Sequence, residues 1–152
     1  MTELKKQLLS KQIQSLISAG EILRASHERC LTIGIRSGLD DEQLEGFEAL
    51  TARFARLSDM ITQQILRSID TLDLEDSGTV RDRINRAEKK GLIGSAEEFV
   101  QIRMLRNEIA HEYKAETILE IFERVLALTP ALLQAVENIK HYVSDHFEIL
   151  IR

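Results

Sequence analysis

Apolar residues recur at spacings of three and four along nearly the whole chain, and no window alternates in strand fashion for long. That periodicity predicts helices. The first, Thr2 to about Ile35, carries the stripe Leu4, Leu8, Ile13, Leu16, Ile17, Leu23 and Leu31, with Gly20 either kinking or breaking it. Arg36-Ser37-Gly38 forms the turn, Gly38 being suited to a helix C-terminus. Asp40, with Gln43 three residues on, caps a second helix of some thirty residues whose stripe is Leu44, Phe47, Leu50, Phe54, Leu57, Ile61 and Ile65 or Leu66.

The polar stretch Asp73 to Gly78 ends that helix. Thr79 then caps a short one, Val80 to Lys90, with Ile84 and Ala87 inward. Its basic residues Arg81, Arg83, Arg86, Lys89 and Lys90 either edge a nucleic-acid cleft or form a solvated face. Gly91-Leu92-Ile93-Gly94-Ser95 is no phosphate loop, because no Lys-Ser or Lys-Thr follows the second Gly and no strand precedes it. It reads instead as a Gly C-cap followed by a capping box, Ser95 with Glu98.

A fourth helix, Ala96 to about Tyr113, has two non-acidic faces. Phe99, Ile102, Ile109 and Tyr113 make one, flanked by Leu105; Val100, Met104, Asn107 and His111 make another, nearly opposite. The second face is either a partner surface or buried within the same bundle. Thr117 and Glu120 cap a fifth helix with the stripe Leu119, Phe122, Val125, Leu126, Leu132, Leu133, Val136 and Ile139. Pro130 falls inside this pattern, as a kink or as the first residue of a new helix. The expected fold is all-α: an antiparallel up-and-down bundle of four main helices plus one short helix, in a single domain spanning 1–152.

Composition agrees with this reading. Seven Gly and one Pro provide little punctuation, and Leu, Ile, Ala, Glu, Arg and Gln abound. No apolar run approaches membrane-spanning length, and Met1 to Ser10 lacks the continuous apolar core of a signal peptide. The single Cys30 cannot form an internal disulfide and reads as a small buried residue in a reducing cytoplasm. A net charge of −5 excludes passive binding of nucleic acid through a global field, so any RNA contact must be local. His141, Asp145 and His146 read as surface polar residues, since no convergent ligands accompany them.

The chemistry concentrates in Leu105-Arg106-Asn107-Glu108-Ile109-Ala110-His111-Glu112-Tyr113. At about 100° per residue, Asn107 and His111 stack one turn apart, Arg106 lies about 140° from His111, and Tyr113 about 20° from Arg106. A permanent cation, an amide, an imidazole and a phenol are enough to grip a phosphate and move a proton. Read as structure alone, Arg106 and His111 are satisfied groups at the end of a bundle helix.

The pattern R-N-x-x-x-H-x-Y resembles the signature of HEPN domains, and more narrowly the HepT-like toxins that accompany a minimal nucleotidyltransferase. Four specified residues at four places arise by chance in on the order of one chain in several thousand of this length. The short helix and Gly-Leu-Ile turn before the motif extend the resemblance to roughly Leu44 to Val125. It implies a homodimer with the two motifs facing each other, and a metal-independent endoribonuclease acting as the toxin of a two-gene pair. The RNA's own 2′-hydroxyl would be the nucleophile, His111 the proton carrier, Arg106 the phosphate holder, and Asn107 an orienting or substrate-binding group. No carboxylate cluster with metal-ligand spacing surrounds the motif, so neither a metal nor another cofactor is called for. The resemblance further implies that the partner nucleotidyltransferase attaches AMP to Tyr113; the plain alternative is that Tyr113 packs at the helix end. From a different class comes the reading of a non-catalytic adaptor that presents a nucleotide or other substrate to a nucleotidyltransferase.

Overall fold

A computed structural model describes residues 2–111 and 115–151, and all the regular elements there are helical. α1 spans Thr2–Ile33, α2 Asp41–Asp59, α3 Leu66–Leu72, α4 Val80–Lys89, α5 Ala96–Ala110 and α6 Ala115–Phe147. A π-helical turn, Met60–Ile65, joins α2 to α3 without a break, so these three pieces form one long rod. The result is a helical bundle in which α1 packs on α2 and α6, α5 packs on α2 and α6, and α4 lies against α5 and α3.

The core lies between the long rods. Phe47 of α2 stacks on Phe122 of α6 with ring centroids 4.9 Å apart, and both are fully buried. Each such side chain stabilises the fold by about 1.5–3 kcal/mol through the apolar area it removes from water. α1 runs unbroken through Gly20. Its buried stripe is Leu9, Ile13, Leu16, Gly20, Leu23 and Cys30, whereas Leu4, Leu8 and Leu31, expected on that stripe, are exposed. Leu9 and Cys30 hold the three-and-four register with Ile13 and Leu16; Leu8 and Leu31, one residue off it, fall outside the contact stripe. The Cys30 thiol donates to the Gly46 carbonyl at 3.4 Å, and burial raises its pKa.

Gly34, not Gly38, ends α1: its φ is +77° and its N–H bonds the Cys30 carbonyl at 2.9 Å. The Asp40–Gln43 and Thr79–Asp82 boxes close in both directions. At α5, Ser95 accepts the Glu98 N–H at 3.1 Å without the return bond from Glu98 that a box requires, while the Glu88 carboxylate takes the N–H of Ala96. α6 begins at Ala115, two residues before the expected cap at Thr117.

Pro130 lies inside α6 and starts no new helix. Having no N–H, it cannot serve the carbonyl four residues back, that of Leu126. In the tautomer with its hydrogen on Nε2, His27 of α1 donates to that carbonyl at 3.0 Å. No helix among the described residues is long and apolar enough to cross a membrane.

The π-helical turn follows from spacing. Leu57, Ile61, Ile65 and Ile69 are all fully buried, at three successive intervals of four. On a regular helix each such interval drifts about 40°, and a wider turn takes up the drift. Its signature is the Leu66 N–H, which bonds the Ile61 carbonyl five residues back.

Candidate functional site

The motif lies at the C-terminal end of α5. The helix stops at Ala110 rather than near Tyr113, and His111 is its C-cap, with φ −92° and ψ 153°. The His111 N–H bonds the Glu108 carbonyl at 3.1 Å, and its side chain is exposed. The wheel relation between Arg106 and Tyr113 required a helix continuing through both, and His111 leaves it in an extended conformation. Tyr113 itself lies outside the described residues.

Arg106 is half-buried and turns toward the α2 rod. Its Nε and Nη2 donate to the two carboxylate oxygens of Asp59 at 2.6 and 2.8 Å. The Asp59 hydrogen bonds outweigh burial and raise the Arg106 pKa, so the guanidinium is a fixed cation. The pair occupies one edge of the guanidinium fork; its Nη1 edge makes no ion pair or hydrogen bond among the described residues. Asp59 is therefore an orienting group that motif spacing does not reveal. It lies forty-seven residues before Arg106, in a chain with 25 acidic residues. The only available signal is the register of the two helices, in which Asp59 and Gln63, one turn apart, face Arg106 and Arg103.

Gln63 continues the seam within the π-helical turn. With its amide oxygen toward α5 it accepts from Arg103 Nη1 and Nη2 at 3.0 and 3.2 Å. Behind it the buried Arg83 donates from Nη1 to the Thr62 carbonyl at 3.0 Å; burial, then the nearby Arg67, lowers its pKa. The wide turn, α4 and α5 thus meet along a row of guanidinium contacts.

Asn107 is exposed, as is Met104, and with the half-buried Val100 they form an uncovered ridge on α5. Of the two readings of this face, burial inside the bundle does not hold. Two shallow grooves flank the ridge. One, of about 350 Å³, lies against α4 and includes Asn107; the other, of about 400 Å³, lies against α6 and is walled by Gln101, Ala127 and Leu128. Beside the latter, an ion pair between Arg124 and Glu108 ties α6 to α5.

Two more basic residues, Arg86 of α4 and Lys90 at its C-cap, serve the fold. Arg86 and Lys90 converge on Asp70, at 2.9 and 3.0 Å, and Lys90 also reaches Asp73 at 2.8 Å. Tyr142 of α6 donates its hydroxyl to Asp73 at 2.6 Å and stacks on His146. Among the described residues no three His, Cys, Asp or Glu side chains converge in a way that would hold a metal. Arg106, Asn107 and His111 thus share one helix end: Arg106 anchored on α2, Asn107 at the mouth of the α4 groove, His111 in solvent one turn beyond.

Comparison of the chain with known protein families, with curated proteins and with solved structures finds no match.

Proposed function

We propose that the chain is a HEPN-like, metal-independent endoribonuclease, the cytoplasmic toxin of a two-gene pair, acting as a homodimer. One observation carries the reading. Arg106 is locked by Asp59 on one edge, its Nη1 edge makes no ion pair or hydrogen bond among the described residues, and it shares a helix end with an exposed Asn107 and an exposed His111. A cation held in one orientation suits the three oxygens of a phosphorane better than a mobile one.

Attack by a ribose 2′-oxygen forms a bond to the adjacent phosphorus and breaks the bond to the 5′-oxygen. The products are a 2′,3′-cyclic phosphate and a free 5′-hydroxyl. One proton leaves the 2′-hydroxyl and one reaches the 5′-oxygen. A single chain brings one His111, and a second copy across the α5 ridge would bring the other, so that one imidazole takes a proton and its mate gives one. The groove between Met104 and α6 offers that copy an apolar seat.

The partner is a nucleotidyltransferase that transfers AMP from ATP to the Tyr113 hydroxyl, releasing pyrophosphate and the phenolic proton. The adduct adds roughly one negative charge, which repels RNA phosphate. Induction of the chain alone should arrest growth, with Arg106→Ala and His111→Ala each harmless, folded by circular dichroism and inactive on RNA, and with EDTA leaving cleavage unchanged. Co-expression of the partner should add AMP mass to the peptide holding Tyr113, and Tyr113→Phe should stay toxic yet escape silencing. A folded His111→Ala protein that cuts RNA at the wild-type rate would overturn the mechanism.

A further inference from the structure

The four basic residues of α4 and the Lys90 at its C-cap are not equivalent. Arg86 and Lys90 are paired with Asp70 and Asp73, and Arg83 is buried against the Thr62 carbonyl. Arg81, exposed on the second residue of α4, lines the groove between α4 and α5. The walls of that groove are apolar, from Val80, Ile84, Val100 and Met104. Its polar lining is Arg81, Arg103 and Asn107, with no carboxylate among the described residues, in a chain whose acidic residues outnumber its basic ones 25 to 20.

We propose that this groove holds one nucleotide of the RNA, next to the linkage that is cut. The inference rests on the ribonuclease reading and names the subsite that reading lacks. A base is flat and apolar on its faces, which suits the walls formed by Val80, Val100 and Met104. Its phosphate fits between the guanidiniums of Arg81 and Arg103, and the Asn107 amide can both donate to and accept from a base edge. A volume of about 350 Å³ accommodates one nucleotide rather than several. The far end of the groove is Asn107, the neighbour of Arg106 and one turn before His111, so the chain of a bound nucleotide leaves toward those groups.

A second copy of this chain suits the groove less well. Two-fold pairing through it would bring Arg81 and Arg103 of both copies together in a desolvated seam, where like charges repel. The groove toward α6, whose Arg124 is already paired with Glu108, carries no such cost.

The test uses the full chain and a fluorescein-labelled hexaribonucleotide, 2′-O-methylated throughout so that it cannot be cut, with binding read by anisotropy at several salt concentrations. Arg81→Ala should weaken binding about five- to tenfold and flatten the salt dependence by about one phosphate contact. Lys89→Ala, exposed on α4 outside the groove, should bind as the wild type does. If the wild type cuts RNA while Arg81→Ala binds the probe with unchanged affinity, the groove assignment is wrong and the nuclease stands. If the wild type cuts nothing yet binds the probe, and Arg81→Ala weakens that binding, the groove stands and the nuclease falls. No measurable binding by the wild type overturns the groove. So does an Arg81→Ala protein with unchanged affinity but an altered mass by light scattering, which would make the groove an interface between copies.

Discussion

Replacing Asp59 separates holding the fold from holding Arg106. Asp59 accepts two charge-assisted hydrogen bonds from Arg106, at 2.6 and 2.8 Å. The side chains of Arg106 and Asp59 keep 28% and 36% of their surface in water, so solvent screens the pair. Its worth to stability is therefore about 1 kcal/mol, the upper end for exposed ion pairs, because the geometry is bidentate. In a chain of 152 residues that corresponds to a melting temperature lower by roughly 2–4 °C. Catalysis should suffer far more. Without Asp59 the guanidinium is free to swing, and misplacing a transition-state contact by an ångström costs on the order of 100-fold. Asp59→Ala should lower kcat for RNA cleavage about 10- to 100-fold with little change in KM, since the cation remains available to ground-state phosphate. Asp59→Asn, which keeps one acceptor oxygen, should fall between. Single-turnover cleavage of a labelled RNA and a thermal melt followed by circular dichroism give the two numbers. A rate that stays level or rises in a folded Asp59→Ala protein would refute the reasoning, because Asp59 would then compete with phosphate rather than aim the guanidinium. A loss of several kcal/mol in stability would equally refute it, making the pair a fold element.

Three further outcomes follow from the packing. Met104 is 58% exposed on the α5 ridge, so Met104→Glu should leave each chain folded but split a dimer at micromolar concentration by light scattering, with RNA cleavage lost alongside; an intact dimer would move the interface elsewhere. Burial and then the bond to Asp73 raise the Tyr142 pKa, while for Lys90 burial pulls down and the bonds to Asp73 and Asp70 outweigh it. Both folded-state values lie above the unfolded ones, so their stabilisation is complete below about pH 10 and is lost as pH rises through the folded values. The urea midpoint should therefore fall between pH 9 and 11, less steeply in Tyr142→Phe; equal slopes would contradict the assignment. His27→Ala should cost about 1–2 kcal/mol by orphaning the Leu126 carbonyl, and under about 0.5 kcal/mol in a Pro130→Ala background, where residue 130 supplies the missing N–H; strictly additive effects in urea melts would show that His27 does not compensate Pro130.

Helical periodicity and caps are local properties, which is why so much was legible in the chain. The Asp40–Gln43 box and the Thr79 cap each need only four consecutive residues, and both form. The stripe from Phe47 to Ile65 needs only apolar residues three and four apart, and every member is buried. The all-α bundle and the cluster Arg106, Asn107 and His111 on one helix end could be read for the same reason. Contacts between helices depend instead on their relative rotation and rise, which no single stripe encodes. Leu8 and Leu9 are equally apolar, and only packing against the neighbouring rods puts Leu9 inside and Leu8 out. The partner of Arg106 is one acidic residue among 25, chosen by how α2 and α5 are rotated against each other. Of the four basic residues on α4 and the Lys90 at its C-cap, composition treats all alike; the tertiary structure pairs Arg86 and Lys90 with carboxylates, buries Arg83, and leaves Arg81 facing the groove beside Asn107, because burying a cation requires a partner and exposing one does not.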